Sequence, residues 1–130
     1  MTTPFWCLLI VTLLPYVLAG IGGYLRVKQL GALDNHHPRV QAQELRGPAA
    51  RALAAQQNGW EAVSIFGVAV LVAHLVGADP GKSATASIVF VVARLLHAAA
   101  YIGDVPNARS GVFLVGLGCC IWLFALAALA

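Results

Sequence analysis

The chain has 130 residues, of which 60% are hydrophobic and only 10% are charged: 8 Lys or Arg against 5 Asp or Glu, a net charge of +3. The apolar content excludes disorder, and the charge content argues against a water-soluble domain, since such domains average roughly 25% charged residues. A transmembrane helix needs about 20 apolar residues, so four spans use up the chain and leave no room for a soluble catalytic domain.

Residues 1–25 contain no Asp, Glu, Lys or Arg, and residues 5–25 are long enough to form a first span at a rise of ~1.5 Å per residue. A cleaved signal peptide would need a positive n-region, and residues 1–6 hold neither Lys nor Arg. Pro15 predicts a kink inside this span, which membrane helices tolerate when neighbouring groups satisfy the freed carbonyl. Residues 26–48 change character, with Arg26, Lys28, Asp34, His36, His37, Pro38, Arg39, Glu44, Arg46 and Pro48 making a polar, turn-rich loop. Helical patterning resumes at about residue 49 and continues to residue 78 as a second span that carries its polar start into the protein. The Ala-Asp-Pro-Gly-Lys stretch at 78–82 is a turn by composition. A third span, about 83–103, is interrupted by Arg94 and His97, and a short turn at 104–108 leads to a fourth span at 110–130. The expected fold is all-α: residues 1–130 as one integral membrane four-helix bundle.

Basic residues set the expected orientation. Arg26, Lys28, Arg39, Arg46, Arg51 and Arg109 fall on one side, against Lys82 on the other. The loop at 26–48 is therefore expected to face the cytoplasm, with both termini outside, in a bacterial-type inner (plasma) membrane.

Ionisable groups inside spans are functional-site candidates, because a central Arg or Asp costs about 2.5 to 3.5 kcal/mol on insertion scales. In the second helix Arg51, Asn58 and Glu61 share one stripe at 100° per residue, with Gln57 beside it. Arg94, His97 and Tyr101 share another in the third helix. Two polar stripes in a small bundle should face each other, and the simplest contact is an ion pair between Glu61 and Arg94. Arg26, Arg51 and Arg109 leave an excess of positive charge at the loop end, which suits a carboxylate-bearing ligand; the alternative, stronger for Arg26 than for Arg109, is that these arginines snorkel to lipid phosphates.

These residues also carry a resemblance. Arg51, then Gln56-Gln57-Asn58-Gly-Trp-Glu61 running into an apolar span, then Arg94-x-x-His97-x-x-x-Tyr101 and Arg109-Ser110, resembles the MAPEG family, membrane-associated proteins in eicosanoid and glutathione metabolism. The likeness extends over almost the whole chain, and the 34–39 segment is similar to the family's bacterial branch. It implies a protomer that assembles as a homotrimer, with glutathione bound between adjacent protomers near the cytoplasmic face. Arg26, Arg51, Gln56, Asn58, Glu61, Arg94, His97 and Tyr101 are the implied glutathione-binding residues, and Arg109 and Ser110 the implied catalytic pair, with Arg109 stabilising a thiolate. The implied activity is a glutathione-dependent transferase or peroxidase acting on lipophilic small molecules.

The sequence departs from the family at Ala54, where the well-characterised eicosanoid enzymes place an arginine that grips glutathione. Losing one charge-assisted contact costs roughly 1.5 to 3 kcal/mol. Arg51 stands one turn earlier, where it could compensate. The departure keeps a second reading open, a noncatalytic lipid-binding or scaffold protein on the same fold, and Tyr101 then reads as an interfacial anchor. A small multidrug transporter would have the same span count, but such transporters resemble one another in a first-helix Glu, and residues 1–25 have no acid.

Other candidates carry less. Asp34, His36 and His37 are too few and too closely spaced for tetrahedral zinc, and no metal is expected. Cys7, Cys119 and Cys120 read as small packing residues, and His74 as a core or interface histidine. No phosphate loop, nucleophile elbow or basic-aromatic pattern for nucleic acid is present.

Overall fold

A computed structural model describes residues 1–130 as five helices without strands: α1 Thr3–Leu30, α2 Pro38–Ala42, α3 Gly47–Leu75, α4 Pro80–Ile102 and α5 Pro106–Ala128. Four of them, α1, α3, α4 and α5, are long and apolar enough to cross a membrane. Each of the five helices opens with proline in its first two positions. There a missing N–H costs nothing, because the first four amides of a helix have no intrahelical acceptor. The sixth proline, Pro15, lies buried inside α1.

Burial follows the logic of a lipid solvent. Large apolar side chains such as Leu13, Val17, Val92, Leu96 and Ile121 point outward, while the interior is built largely from small residues. On α3, Ala49, Ala52, Ala55, Gly59, Ala62, Ala69 and Ala73 are buried, and such residues let helix backbones approach closely where apolar lipid offers no hydrophobic drive to associate. The principal pairings are α1 on α3 and α4 on α5, joined across the bundle by α3–α4 contacts. Phe66 and Phe90 stack with ring centroids 4.0 Å apart and rings nearly parallel, closing the α3–α4 seam above Cys120 and Leu123. His74 sets its ring edge-on to Phe5 at 4.9 Å, tying α3 to the start of α1.

The polar connection is more ordered than a loop of turn residues suggests. Asp34 Oδ1 accepts hydrogen bonds from the backbone N–H of His36 and His37 at 2.8 and 3.0 Å. Gln41, on α2, donates to Ala32 O at 2.8 Å and accepts from Asp34 N–H at 3.1 Å. Asp34 is thereby the hub of an Asx-type turn, and α2 folds back over it. A left-handed Gly31 (φ 86°) ends α1, with its N–H returning to Val27 O, the conformation glycine adopts at least cost.

Among the glycines the tightest contact between helices is at Gly59, where an added Cβ would lie 3.0 Å from Pro15 Cγ. Gly59→Ala should therefore push on a stiff ring and cost about 1–3 kcal/mol of stability, while Gly20→Ala on open helix surface, where a Cβ meets nothing within 4 Å, should be neutral. Thermal unfolding in detergent of the two variants checks this; equal melting temperatures would show that the α1–α3 contact is not tight at Pro15.

Candidate functional site

Along α4, Arg94, His97 and Tyr101 lie on one face, and the first two are buried at 4% and 3% exposure. A buried guanidinium in an apolar medium needs partners. Arg94 finds them on α3: its Nη2 donates to Asn58 Oδ1 at 2.6 Å and, more weakly, to the Asn58 backbone O at 3.4 Å. Asn58 Nδ2 in turn donates to Glu61 Oε2 at 3.1 Å. The direct Glu61–Arg94 ion pair expected from the sequence is not formed. Asn58 stands between the two charges, and its amide, with an acceptor at one end and donors at the other, satisfies both. Glu61 stays exposed on the surface of the single bundle, where the Asn58 amide is its hydrogen-bond donor.

Below Arg94 the arrangement continues through aromatic contacts. The His97 ring meets Tyr101 edge-on at 5.6 Å and Phe113 of α5 at 6.2 Å. Arg109, in the first turn of α5, places its guanidinium carbon 4.6 Å from the centre of the Tyr101 ring, a cation–π contact that fixes a flexible side chain. Asn58, His97, Tyr101, Arg109, Ser110 and Phe113 line one cavity of about 360 Å³. His97 Nδ1 is buried without a hydrogen-bond partner, while the cavity that His97 helps to line carries a fixed cation. This is a setting able to hold an anion.

Arg51 is not part of that group. Its Nε donates to Ile102 O at 3.1 Å and its Nη1 lies 3.4 Å from Asp104 Oδ2, so it fastens the α4–α5 turn to the start of α3. Asp104 adopts φ 60°, a left-handed conformation uncommon outside glycine but accessible to aspartate. By tethering that turn, Arg51 bears on where α5 begins and hence on Arg109. Two of its three guanidinium nitrogens are thus engaged at that turn. Arg26 and Gln56 line a separate cavity of about 190 Å³ between α1 and α3. There Arg26 Nη1 makes a long 3.5 Å contact to Pro38 O while Nε is buried and unpaired. The candidate residues thus fall into three places: the cavity that runs from Asn58 to Ser110, the turn clamp at Arg51, and the α1–α3 cavity.

Phe113, Gly116 and Cys120, which wall the space next to Arg94, give no signal in the sequence because they are ordinary apolar residues in an apolar span. Asp104 was readable only as a turn residue. Its partner lies 53 residues away in the chain, beyond any helical spacing rule.

Because Asn58 serves both charges, its loss should cost more than the loss of Glu61. Asn58→Ala is expected to destabilise by roughly 1.5–3 kcal/mol, the range for a hydrogen bond to a charged group, and Glu61→Gln by less, because a glutamine oxygen still accepts from Asn58 Nδ2. A double-mutant cycle of Asn58→Ala with Arg94→Met should show coupling of at least about 1 kcal/mol; additive effects would mean the 2.6 Å contact contributes little.

Among curated proteins, none matches the chain. The family model described as MAPEG family matches residues 3–129. With its four long apolar helices and the polar groups gathered on α3, α4 and α5, the chain belongs to the MAPEG family and is an integral membrane protein.

Proposed function

We propose that the protein is a glutathione transferase or peroxidase for lipophilic electrophiles, working as a homotrimer with glutathione held between protomers at the loop end. In this reading the membrane is a bacterial inner membrane with the 26–48 loop cytoplasmic. The observation that carries the reading is Arg109, pinned over the Tyr101 ring at the edge of a cavity shared with Ser110, His97 and Asn58. A cation fixed beside a thiol lowers its pKa and stabilises the thiolate, the reactive form. Ser110, exposed at the same cavity, supplies a hydroxyl donor to the same sulfur. In a substitution, the sulfur–carbon bond forms as the bond to the leaving group breaks, and that group departs with the electron pair. In a peroxidase turnover, the thiolate attacks the peroxide oxygen and the alkoxide leaves as an alcohol once protonated. The sulfur is left as the sulfenic acid, and a second glutathione thiol attacks it, forming the disulfide and releasing water.

The second reading, a noncatalytic lipid-binding or scaffold protein, is favoured by two observations together. Ala54 stands where an arginine grips glutathione in characterised relatives, and Arg51 is committed to Asp104 and Ile102. The carboxylate end of the site is therefore short of one cation, which corresponds to about a tenfold to hundredfold loss of affinity.

Titration with glutathione in detergent, followed by calorimetry or thermal shift, separates the readings. Binding is expected in the millimolar range, and none at ~10 mM ligand, enough to load sites that weak, removes the glutathione reading. Arg109→Ala is expected to lower turnover about a hundredfold or more, as removal of an electrostatic stabiliser does, with little change in melting temperature. Unchanged turnover would place the sulfur elsewhere.

A further inference from the structure

Residues 103–105 join α4 to α5, and they include the only non-glycine residue of the chain with a positive φ, Asp104 at 60°. The backbone around it forms a Schellman motif: Val105 N–H donates to Ala100 O at 2.9 Å and Asp104 N–H to Tyr101 O at 3.3 Å. The left-handed position of that motif is ordinarily glycine, because a Cβ there crowds the neighbouring carbonyl. The turn's own glycine stands one residue earlier, at 103, where φ is negative and an added Cβ would come within 3.0 Å of Ala99 O. Aspartate thus occupies the strained position, and a strained residue persists only where its surroundings hold it.

Arg51 supplies the hold. From the start of α3 its Nε donates to Ile102 O at 3.1 Å, a carbonyl of the last turn of α4 that no helical amide reaches, and its Nη1 lies 3.4 Å from Asp104 Oδ2. One guanidinium therefore spans the turn. Stability alone does not account for the pair, since the Asp104 side chain is 69% exposed, exposed pairs contribute little, and glycine would remove the strain outright. Geometry does account for it. Tyr101 immediately precedes Ile102, Pro106 opens α5 two residues after Asp104, and Arg109 N–H closes the first turn of α5 on Val105 O at 3.0 Å. The backbone at 104 sets the direction in which α5 leaves α4, and with it the placement of the Arg109 guanidinium 4.6 Å from the Tyr101 ring centre. We propose that Arg51 is a positioning residue for Arg109, which it serves by holding Asp104 left-handed and so aiming the first turn of α5, rather than by contacting a ligand. The positioning stands without a ligand; its consequence for a thiolate rests on the glutathione reading above.

Released from Arg51, a residue with a Cβ at 104 returns to negative φ, where the broad allowed regions lie. Only Val105 then separates it from Pro106, whose own φ is fixed by its ring, so the change passes into the direction of α5 instead of being absorbed in the connection. Glycine has no such preference and keeps φ 60° unaided. Asp104→Ala and Asp104→Gly remove the same carboxylate, yet they should act oppositely on Arg109, five residues further along the chain. A pair that served stability alone would make the two substitutions alike at Arg109, because both lose the same contact.

Proton–nitrogen NMR of the full chain in lipid nanodiscs, isotope-labelled at the arginine nitrogens, tests the positioning without glutathione. A guanidinium over an aromatic face has its Nε–H resonance moved upfield by the ring current. The Arg109 resonance is the one lost in Arg109→Lys, and its upfield shift should vanish in Tyr101→Leu. In Asp104→Ala and in Arg51→Met it should move to the position of a free arginine. In Asp104→Gly, and in Arg51→Met combined with Asp104→Gly, it should stay where the unaltered protein has it. If Arg51→Met does not fold, the two substitutions at Asp104 carry the test by themselves. With glutathione, Asp104→Ala should lower turnover about tenfold to hundredfold, as a small misplacement of a catalytic group does, while glutathione affinity is unchanged and Asp104→Gly stays close to the parent. An Arg109 resonance indifferent to Asp104→Ala, or displaced equally by Asp104→Ala and Asp104→Gly, overturns the proposal. The expected NMR series in a protein that binds no glutathione keeps Arg51 as the positioning residue and removes only the thiolate chemistry.

Discussion

Arg94 places a full positive charge on the buried face of a helix surrounded by lipid, and the 2.6 Å hydrogen bond from its Nη2 to Asn58 Oδ1 is what makes that placement tolerable. In water the same contact would be one among many competing with solvent. Here no solvent competes, and an unpaired guanidinium would have to leave the bundle or the helix would not stay inserted. The bond therefore fixes the rotation of α4 against α3. Once that rotation is fixed, residues three and seven positions further along α4 follow on the same face. His97 is turned inward, and Tyr101 is presented to the first turn of α5, where Arg109 covers its ring. Asn58 passes the interaction on to Glu61, so one neutral amide links two opposite charges that sit at different depths of burial.

The packing that permits this is thin. Alanine and glycine fill the face of α3, and only a few large side chains, Phe66, Phe90 and Leu123 among them, are fully buried. A bundle of small residues gains its stability from close backbone approach, which leaves little tolerance at contacts such as Gly59 on Pro15. It also leaves room where one large neighbour meets a glycine. The space beside Phe90 and Gly116 is of that kind, and it opens next to the only deeply buried cation of the bundle.

How much was legible in the sequence depends on which kind of pattern a residue belongs to. The four long helices were readable because apolar runs of about 20 residues with so few charges have few other uses. The two polar stripes were readable because Asn58 with Glu61, and Arg94 with His97 and Tyr101, repeat at helical spacing and stand out against apolar neighbours. Partners across helices were not readable. Opposite charges on facing stripes suggested a direct Glu61–Arg94 pair, and nothing in the spacing reveals that the amide between them is the better partner for both. Arg51 shares the stripe of Asn58 and yet faces the α4–α5 turn, because at a helix end the neighbouring element is a turn whose carbonyl and carboxylate lie within reach. Asp34 with its two histidines looked like an isolated polar turn, and only Gln41 arriving from α2 shows why it is ordered.

The distribution of the remaining cations bears on what an anionic ligand would do to this protein. With Ala54 in place of an arginine and Arg51 occupied, the unpaired guanidinium nitrogen outside the Arg94 network belongs to Arg26, in the α1–α3 cavity. Arg109 lies in a different cavity, formed by α3, α4 and α5. The principal helix pairings do not bring α1 onto α5, so within one chain these two cations do not share a wall. A small peptide ligand with two carboxylates and a thiol that used both would, on the proposed reading, draw Arg26 from one protomer and Arg109 from its neighbour. Binding and assembly would then be thermodynamically linked. The ligand's contribution to assembly would then grow only with the logarithm of its excess over the dissociation constant. On that reading a weakened site would show itself in the oligomer, since the gain at each interface would be repeated around a closed ring.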